Sequence, residues 1–337
     1  MRVSVVGCGG ISVTHLKVLS EMESVTISSV VDIVREKADS AAAEYGCKAY
    51  YDFEKMLVED KPDCVHICTP HYLHVPMATK AMANNIHVLC EKPCAISAEG
   101  LSKLRMTQLL SDVKFGVCFQ NRYNESSLLI KEAIDSGKYG SVKAVRAVVH
   151  WYRDDSYYND DWHGTIEKEG GGVTVNQAIH TQDLMRYIAG KKVKAVTGHV
   201  FNDGHKGIIE VEDTVHAIFE YEDGTKGLFT ATTAFSENLP VQIDFVCDIA
   251  TLRLEGDNAY VITDGQIEQL HLADNEGFTG KNYWGKGHSS LIADFYDCIN
   301  QDKKFMVDAI DGGRAVDEFL AIFESSERGE KVYLNKD

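Results

Sequence analysis

Over its first 120 residues the chain alternates short β-branched runs with helical patterns, and from about Lys143 it changes to longer alternating strands. "RVSVV", "TISSVVD", "CVHICTP", "HVLCEKP" and "VKFGVCF" read as strands, with helices predicted from Ile11, Phe53, Tyr72 and Ala98. Strands that alternate with helices must form a parallel sheet covered on both faces, because each return to the sheet needs a crossover. Beyond Lys143, "VKAVRAVVHWY", "KAVTGHVF", "DTVHAIFEYEDGTKGLFTATTAF", "PVQIDFVCD" and "TLRLEGDNAYVIT" read as a mostly antiparallel sheet, with an Asp-Gly hairpin signal in "YEDGTKG". One helix is predicted near residues 175–189, and others from about Ser289 and Asp311. The expected architecture is an α/β domain over residues 1–120 followed by an α+β domain with an open, mostly antiparallel sheet over 121–337.

"VVGCGGIS" puts Gly7 and Gly9 between the first strand and the first helix, where backbone N–H groups can meet a pyrophosphate. Ser12 takes the third small position of that pattern, and Asp32 ends the second strand where a carboxylate accepts both ribose hydroxyls of an adenosine. The first domain is therefore expected to be a Rossmann domain. A carboxylate ~4 Å from a 2'-phosphate would repel it by about 4 kcal/mol per charge pair at an effective dielectric of 20, which favours NAD over NADP. Arg35 follows closely enough to offset this if its side chain turns inward.

Ligands of such sheets bind beyond the carboxyl ends of the strands. "ICTPHYLH" and "VLCEKP" supply two such ends, and Lys92 then faces a cleft rather than the apolar layer. A surface lysine paired with Glu91 is the plainer alternative. In "EGGGVTVNQAIHTQDLMRYIAG", Gly170, Gly171 and Gly172 clear side chains where backbone must approach something closely. Asn176, His180 and Asp183 follow at i, i+4 and i+7, one polar face of the predicted helix. Upstream, "HWYRDDSYYNDDWHGT" offers Trp151, Tyr152, Arg153, Tyr157, Tyr158 and Trp162, aromatic and polar groups that suit a sugar ring or pack the loop. His71 and His74 lack converging carboxylates or thiols, so no metal is expected.

The net charge of -17 argues against nucleic-acid and anionic-membrane partners, and a small molecule is the expected ligand. No secretory leader is read at Met1–Val6 and no window approaches a bilayer span, so a cytoplasmic location is expected. The nine cysteines lie mostly in apolar strands without a Cys-x-x-Cys pair, which points to reduced thiols.

Taken in order, "VVGCGGIS", "CTPHYLHVPMA", "HVLCEKPCAIS", "CFQNRYNES", "EGGGVTVNQAIHTQDL", "GHSSLIADF" and "SSERGEKVYL" make the chain resemble the Gfo/Idh/MocA oxidoreductases along nearly its whole length. The resemblance implies NAD(P)-dependent redox chemistry on sugars, cyclitols and related polyols, with assembly into a homodimer or homotetramer through the C-terminal sheet. It matches Lys92 and His180 to catalytic positions, Thr69, Pro70 and His74 to cofactor-side positions, and Asn121-Arg122 to a cleft-lining pair. One departure stands out: many relatives carry Asp where this chain has Asn176.

The catalytic set expected is thus Lys92, His180 and Asn176, with cofactor contacts from Gly7, Gly9, Gly10, Ile11, Asp32, Thr69, Pro70, His74, Glu91 and Lys92. Substrate contacts are expected from Arg122, Tyr152, Arg153, Trp162, Asn176 and Asp183. Because histidine titrates near 6.5 and lysine near 10.4, His180 is the natural base and Lys92 the cationic donor to a developing alkoxide. The expected activity is NAD-dependent hydride exchange with a secondary alcohol. Two alternatives stay open: transient oxidation that permits elimination or glycoside cleavage, and a non-catalytic nucleotide sensor.

Overall fold

The first strand, β1 (Arg2–Val6), is followed by α1 (Ser12–Ser20), β2 (Thr26–Val31), α2 (Arg35–Tyr45), β3 (Lys48–Tyr50) and α3 (Phe53–Glu59). The chain then returns through β4 (Cys64–Ile67), α4 (His74–Ala83), β5 (His87–Cys90), α5 (Ala98–Leu109) and β6 (Phe115–Val117). These strands form a parallel six-stranded sheet in the order β3-β2-β1-β4-β5-β6, so the order reverses between β1 and β4. The computed structural model describes residues 1–273 and 287–334. It divides into two units: Met1–Phe119 with His288–Val316, and Gln120–Gly287 with Asp317–Asp337.

Strands buried on both faces are mostly apolar, and Val3, Val5, Val30, Val65, Ile67, Val88 and Leu89 are all fully buried, with Ser4, Ser29 and His66 as buried polar exceptions. Most of the predicted helices and strands of this unit are present. Two elements were not anticipated: the three-residue edge strand β3, and α2, in which only Ala38 and Ala42 are buried. Residues 288–316 also belong to this unit, which revises the reading of 121–337 as one continuous domain. The physical reason is packing: a Cβ on Gly116 of β6 would press on Phe295 and Phe305 at 3.0 and 2.9 Å.

The second unit begins with a short 3-10 turn and α6 (Glu125–Asp135), then β7 (Val142–His150), α7 (Ile179–Ala189), β8 (Val193–Phe201), β9 (Thr214–Tyr221) and β10 (Lys226–Thr232). β11 (Gln242–Cys247), β12 (Thr251–Glu255), β13 (Asn258–Thr263) and β14 (Gln266–His271) follow. After α8 (Gly287–Asn300) and α9 (Gly313–Arg328), β15 (Val332–Tyr333) closes the chain. The nine-stranded sheet runs β14-β13-β12-β11-β7-β10-β9-β8-β15, and only the β7–β10 pair is parallel. Alternate residues of β9 and β10 are buried, as one-sided burial requires. The predicted Asp-Gly hairpin joins them: Gly224 has φ +88 and donates its N–H to the Tyr221 carbonyl at 3.0 Å. α7 covers the inner face with Leu184, Met185 and Ile188, each buried and each contributing roughly 1.5–3 kcal/mol. All nine cysteines are free thiols.

Candidate functional site

Register aligns one edge of the parallel sheet. Val6 pairs with Val31 and Ile67, Ile67 pairs with Cys90, and Cys90 pairs with Val117. The next residue on each strand is therefore Gly7, Asp32, Cys68, Glu91 or Cys118, a single row at the carboxyl ends. This row lies where the strand order reverses, the position at which open α/β sheets bind ligands.

Gly7 is required by the protein itself. Its φ is +88, its N–H donates to the Val31 carbonyl at 2.8 Å, and a Cβ there would meet the Cys68 carbonyl oxygen at 2.7 Å. Gly9 and Gly10 differ, since a Cβ on either would enter open space. Ser12 fills the third small position of the turn, buried, with its hydroxyl donating to the Gly9 carbonyl at 2.6 Å. Ile11 opens α1 without any side-chain cap, which leaves the first-turn amides for an anion. Asp32 accepts the Cys8 N–H and the Val34 N–H, both at 2.8 Å, so its carboxylate is aimed before any ligand arrives. Open space over Gly9 and Gly10, an uncapped helix start and a braced carboxylate fit a dinucleotide. Arg35 stacks on the Tyr51 ring, 4.1 Å from its centroid.

Thr69 and Pro70 follow β4, half-buried, and Lys92 follows β5, also half-buried. His74 is fully buried, with Nδ1 2.7 Å from the Pro93 carbonyl oxygen and Nε2 2.8 Å from that of Thr69. It therefore braces the two strand ends against each other and offers a ligand no exposed surface. Burial lowers its pKa. Glu91, expected at the cofactor, is 6% exposed and turned inward: its Oε1 lies 2.9 Å from Nε2 of His15 and its Oε2 accepts the Lys92 N–H at 3.3 Å. Among the described residues, one group of side chains has metal-capable donors, namely His15, Glu91, Cys118 and His288, all buried.

In the second unit the predicted polar stripe is interrupted. Ile179 is the first residue of α7, so His180 sits in its first turn while Asn176 belongs to the preceding turns. The reason lies in the glycines. A Cβ on Gly172 would fall 1.9 Å from the Glu212 carbonyl oxygen, and Gly172 and Thr174 both donate their N–H groups to the Glu212 carboxylate at 2.9 Å. Gly170 and Gly171 have φ of +83 and +153. The close approach foreseen for these glycines is thus to the protein's own backbone, and it holds the chain out of helical geometry until Ile179.

Arg122 and Asp183, expected to touch substrate, are each 1% exposed and bind one another through two hydrogen bonds of 2.6 and 2.5 Å. Arg186 adds a third bond to Asp183 at 2.9 Å. The network fixes α7 and leaves no exposed atom of Arg122 or Asp183 to meet a ligand.

Asn176 donates to the Glu169 carboxylate at 2.6 Å and to the Tyr157 hydroxyl at 3.3 Å, and Gln177 also donates to that hydroxyl at 3.3 Å. Glu169 is fully buried and was not foreseen from sequence; nothing but its place before the glycines marks it. It sets a carboxylate against the Asn176 amide, 2.6 Å from its nitrogen. Burial, then the charge of Glu169, pushes the Tyr157 phenol up, and burial pushes Tyr158 up to about 12. Arg153 lies over the rings of Trp151 and Tyr157 and donates to Asn238 at 3.0 Å. Trp151 is a core residue, its indole N–H donating to the Leu239 carbonyl at 3.2 Å. Tyr152 is 47% exposed and Trp162 half-buried against His163.

Residues 1–116 match the family model described as an oxidoreductase family with an NAD-binding Rossmann fold, and residues 128–253 match the Gfo/Idh/MocA C-terminal domain. D-glucoside 3-dehydrogenase of Escherichia coli is 24% identical over 99% of this chain and 97% of that protein. Inositol 2-dehydrogenase of Rhizobium meliloti is 25% identical over 72% of each. Among solved structures, the WlbA dehydrogenase of Bordetella pertussis, in complex with NADH and UDP-GlcNAcA, superimposes with a TM-score of 0.87 at 26% identity, covering 100% of this chain and 99% of that one. Levoglucosan dehydrogenase with NADH and levoglucosan has a TM-score of 0.90 over all of both chains at 18% identity, a likeness of fold. With a Rossmann domain and a C-terminal domain that both match its models, the chain belongs to the Gfo/Idh/MocA family of oxidoreductases.

Proposed function

We propose that this protein is an NAD-dependent dehydrogenase that exchanges a hydride with a secondary alcohol of a sugar, cyclitol or sugar derivative. The observation that carries the reading is the single row at the carboxyl edge of the parallel sheet, where the glycine turn, Asp32, Thr69-Pro70 and Glu91-Lys92 follow register-matched strand ends. Relatives acting on glucosides and inositols, and a similar structure holding NADH with a nucleotide-linked sugar, support the substrate class.

The dinucleotide, when bound, supplies the hydride acceptor or donor. Gly9, Gly10 and the uncapped start of α1 accommodate its phosphates, and Asp32 accepts from its ribose hydroxyls. An Asp32 carboxylate repels a 2'-phosphate, and Arg35, stacked on Tyr51, is engaged elsewhere. NAD is the preferred cofactor for both reasons. His180 takes the proton of the substrate hydroxyl, a task suited to imidazole, whose ordinary titration range lies near neutral pH. Lys92 would need to fall roughly three units to act as base at pH 7, a cost of about 4 kcal/mol. It serves instead as an ammonium donor to the substrate oxygen. Asn176, oriented by Glu169, positions a neighbouring hydroxyl.

The test is turnover of purified enzyme with NAD or NADP against inositols, aldoses, amino sugars and glycosides, read by absorbance of the reduced cofactor. Stoichiometric NADH with an oxidised product is expected, and Lys92→Ala should lower turnover about 100- to 1,000-fold while NAD still binds, since one donor at a reacting oxygen is worth about that much. Cleavage or elimination without net NADH would replace the proposal with redox-assisted lysis. NAD binding without turnover of any substrate, in an enzyme indifferent to Lys92→Ala, would replace it with a sensor.

A further inference from the structure

Behind Lys92 the first unit holds a buried polar chain that the proposed chemistry does not use. Tyr296 Oη lies 2.9 Å from His66 Nε2, His66 Nδ1 lies 2.8 Å from His15 Nδ1, and His15 Nε2 lies 2.9 Å from Glu91 Oε1. Tyr296 is 2% exposed, both histidines are fully buried, and Glu91 is 6% exposed. Four separate elements contribute: α8, β4, α1 and the end of β5. Leaving polar groups this deep is expensive unless each donor finds an acceptor.

The proton order follows from one end. An ionised Glu91 only accepts, so His15 must carry its proton on Nε2. With neutral rings, His15 Nδ1 then accepts from His66 Nδ1–H, and His66 Nε2 accepts from the Tyr296 hydroxyl. Every bond in the chain is satisfied and every one points toward Glu91. Burial alone would raise the Glu91 carboxyl, but the hydrogen bond from His15 and the positive charge of Lys92 hold it below its ordinary value. Burial pushes His66 down, which keeps that ring neutral.

We propose that Glu91 is a positioning residue for Lys92: a buried carboxylate, kept ionised by the Tyr296–His66–His15 chain, that holds the neighbouring lysine as its ammonium. The inference rests on the role given to Lys92 above. His15 stands in the first turn of α1, immediately after the glycine turn, so the same chain ties the cofactor helix to the strand end that carries Lys92. The other titratable groups facing Glu91 and Lys92 are His74 from α4, His288 from α8, and the thiols of Cys68, Cys90 and Cys118 at the neighbouring strand ends. Burial keeps those thiols protonated and lowers both histidines, His288 to about 4, so Glu91 is the anion of the group at neutral pH.

His15, Glu91, Cys118 and His288 bring their donor atoms within 4.8 Å of one another, a composition that zinc also favours. The 2.9 Å separation of His15 Nε2 and Glu91 Oε1 is that of a hydrogen bond, shorter than the roughly 3.3 Å edge of a tetrahedral site with ~2.0–2.1 Å bonds.

The experiment is Glu91→Gln in the full-length enzyme, with the Lys92 ammonium titrated by NMR of labelled lysine and the pH profile of kcat recorded alongside. Removing the charge while keeping the shape should lower the Lys92 pKa by about one unit or more, tenfold in its ionisation equilibrium, and move the alkaline limb of kcat down by the same amount. NAD affinity should stay within about threefold. If Glu91→Gln does not fold, His15→Gln and Tyr296→Phe carry the test, each expected to shift the limb the same way by about half a unit. A folded variant that loses thermal stability but leaves the Lys92 titration and the alkaline limb in place overturns the proposal, as does about one equivalent of metal in the purified enzyme. Lys92→Ala separates the two claims: full activity in that variant sinks the role of the lysine, whereas an inert Glu91→Gln beside a dead Lys92→Ala sinks only the role of the carboxylate.

Discussion

Two glycine-rich turns precede two helices in this chain, and they are glycine-rich for opposite reasons. In the first unit, Gly9 and Gly10 have nothing within 4 Å of a Cβ, while Gly7 alone is demanded by a positive φ and by the Cys68 backbone. In the second, Gly172 has the Glu212 carbonyl oxygen 1.9 Å from where a Cβ would stand, and Gly171 has Val175 at 2.5 Å. One turn is bare on its outside, where the proposed cofactor would lie. The other is bare on its inside, so that two stretches of the protein can touch. A glycine cluster therefore marks a close approach without saying to what, and only the surrounding atoms decide.

The comparison breaks most visibly at Gly172. Gly172→Ala should destabilise the second unit by more than about 3 kcal/mol, because the obstacle is backbone and cannot swing aside. Urea unfolding with separate probes for the two units would register the loss. A stability within 1 kcal/mol of wild type would mean that the Glu212 segment yields easily and that the turn is not self-clamped.

Carboxylates carry the same contrast. At the carboxyl edge of the first unit, Asp32 and Glu91 are met by N–H donors. On the closed side of the second unit, Glu318 is 2% exposed, and burial raises it to about 7 despite Arg186 and the Gln182 amide at 3.1 Å. A carboxyl whose folded pKa exceeds its unfolded value contributes stability that is fully present below about 4.5 and is lost as pH rises through about 7. Glu318→Gln should remove that dependence and stabilise the protein by about 3 kcal/mol at pH 8, with little change at pH 4.5. Thermal melts across that window are the measurement, and an unchanged slope would show that the ion pair with Arg186 prevails over burial.

Much of the architecture was legible because burial on both faces writes short, mostly apolar runs, as in β1, β4 and β5, and one-sided burial writes alternation, as in β9 and β10. Elements that bury little wrote little: α2 places only two alanines in the core, and four of the six residues of β14 are exposed. The strand-end positions of the glycine turn, Asp32 and Lys92 were legible because each sits beside a strand that the pattern already fixed. Asn176 was misplaced onto the helix because a 3.6-residue period cannot see that Gly172 is held by Glu212, forty residues away. Asp183 was singled out by its place on the polar stripe and Arg122 by the family resemblance, yet both are buried and each is the reason the other is tolerated. His15, His66 and Tyr296 escaped altogether, since their contacts span 51 and 230 residues and leave no local pattern.

Gly9→Ala gives the smallest change in stability and the sharpest test of the contrast. With no positive φ and no neighbour within 4 Å, the alanine methyl disturbs nothing in the protein, and the narrower unfolded ensemble should make the variant equal in stability or firmer by about 0.5 kcal/mol. The same methyl stands where backbone has to approach a pyrophosphate, so NAD affinity should fall roughly tenfold, about 1.4 kcal/mol. Calorimetry would give both numbers from one preparation. A methyl that leaves NAD binding intact would place the phosphates away from Gly9 and make this turn a structural one like its counterpart at Gly172, whereas a methyl that costs both binding and stability would reveal a neighbour that the open space conceals.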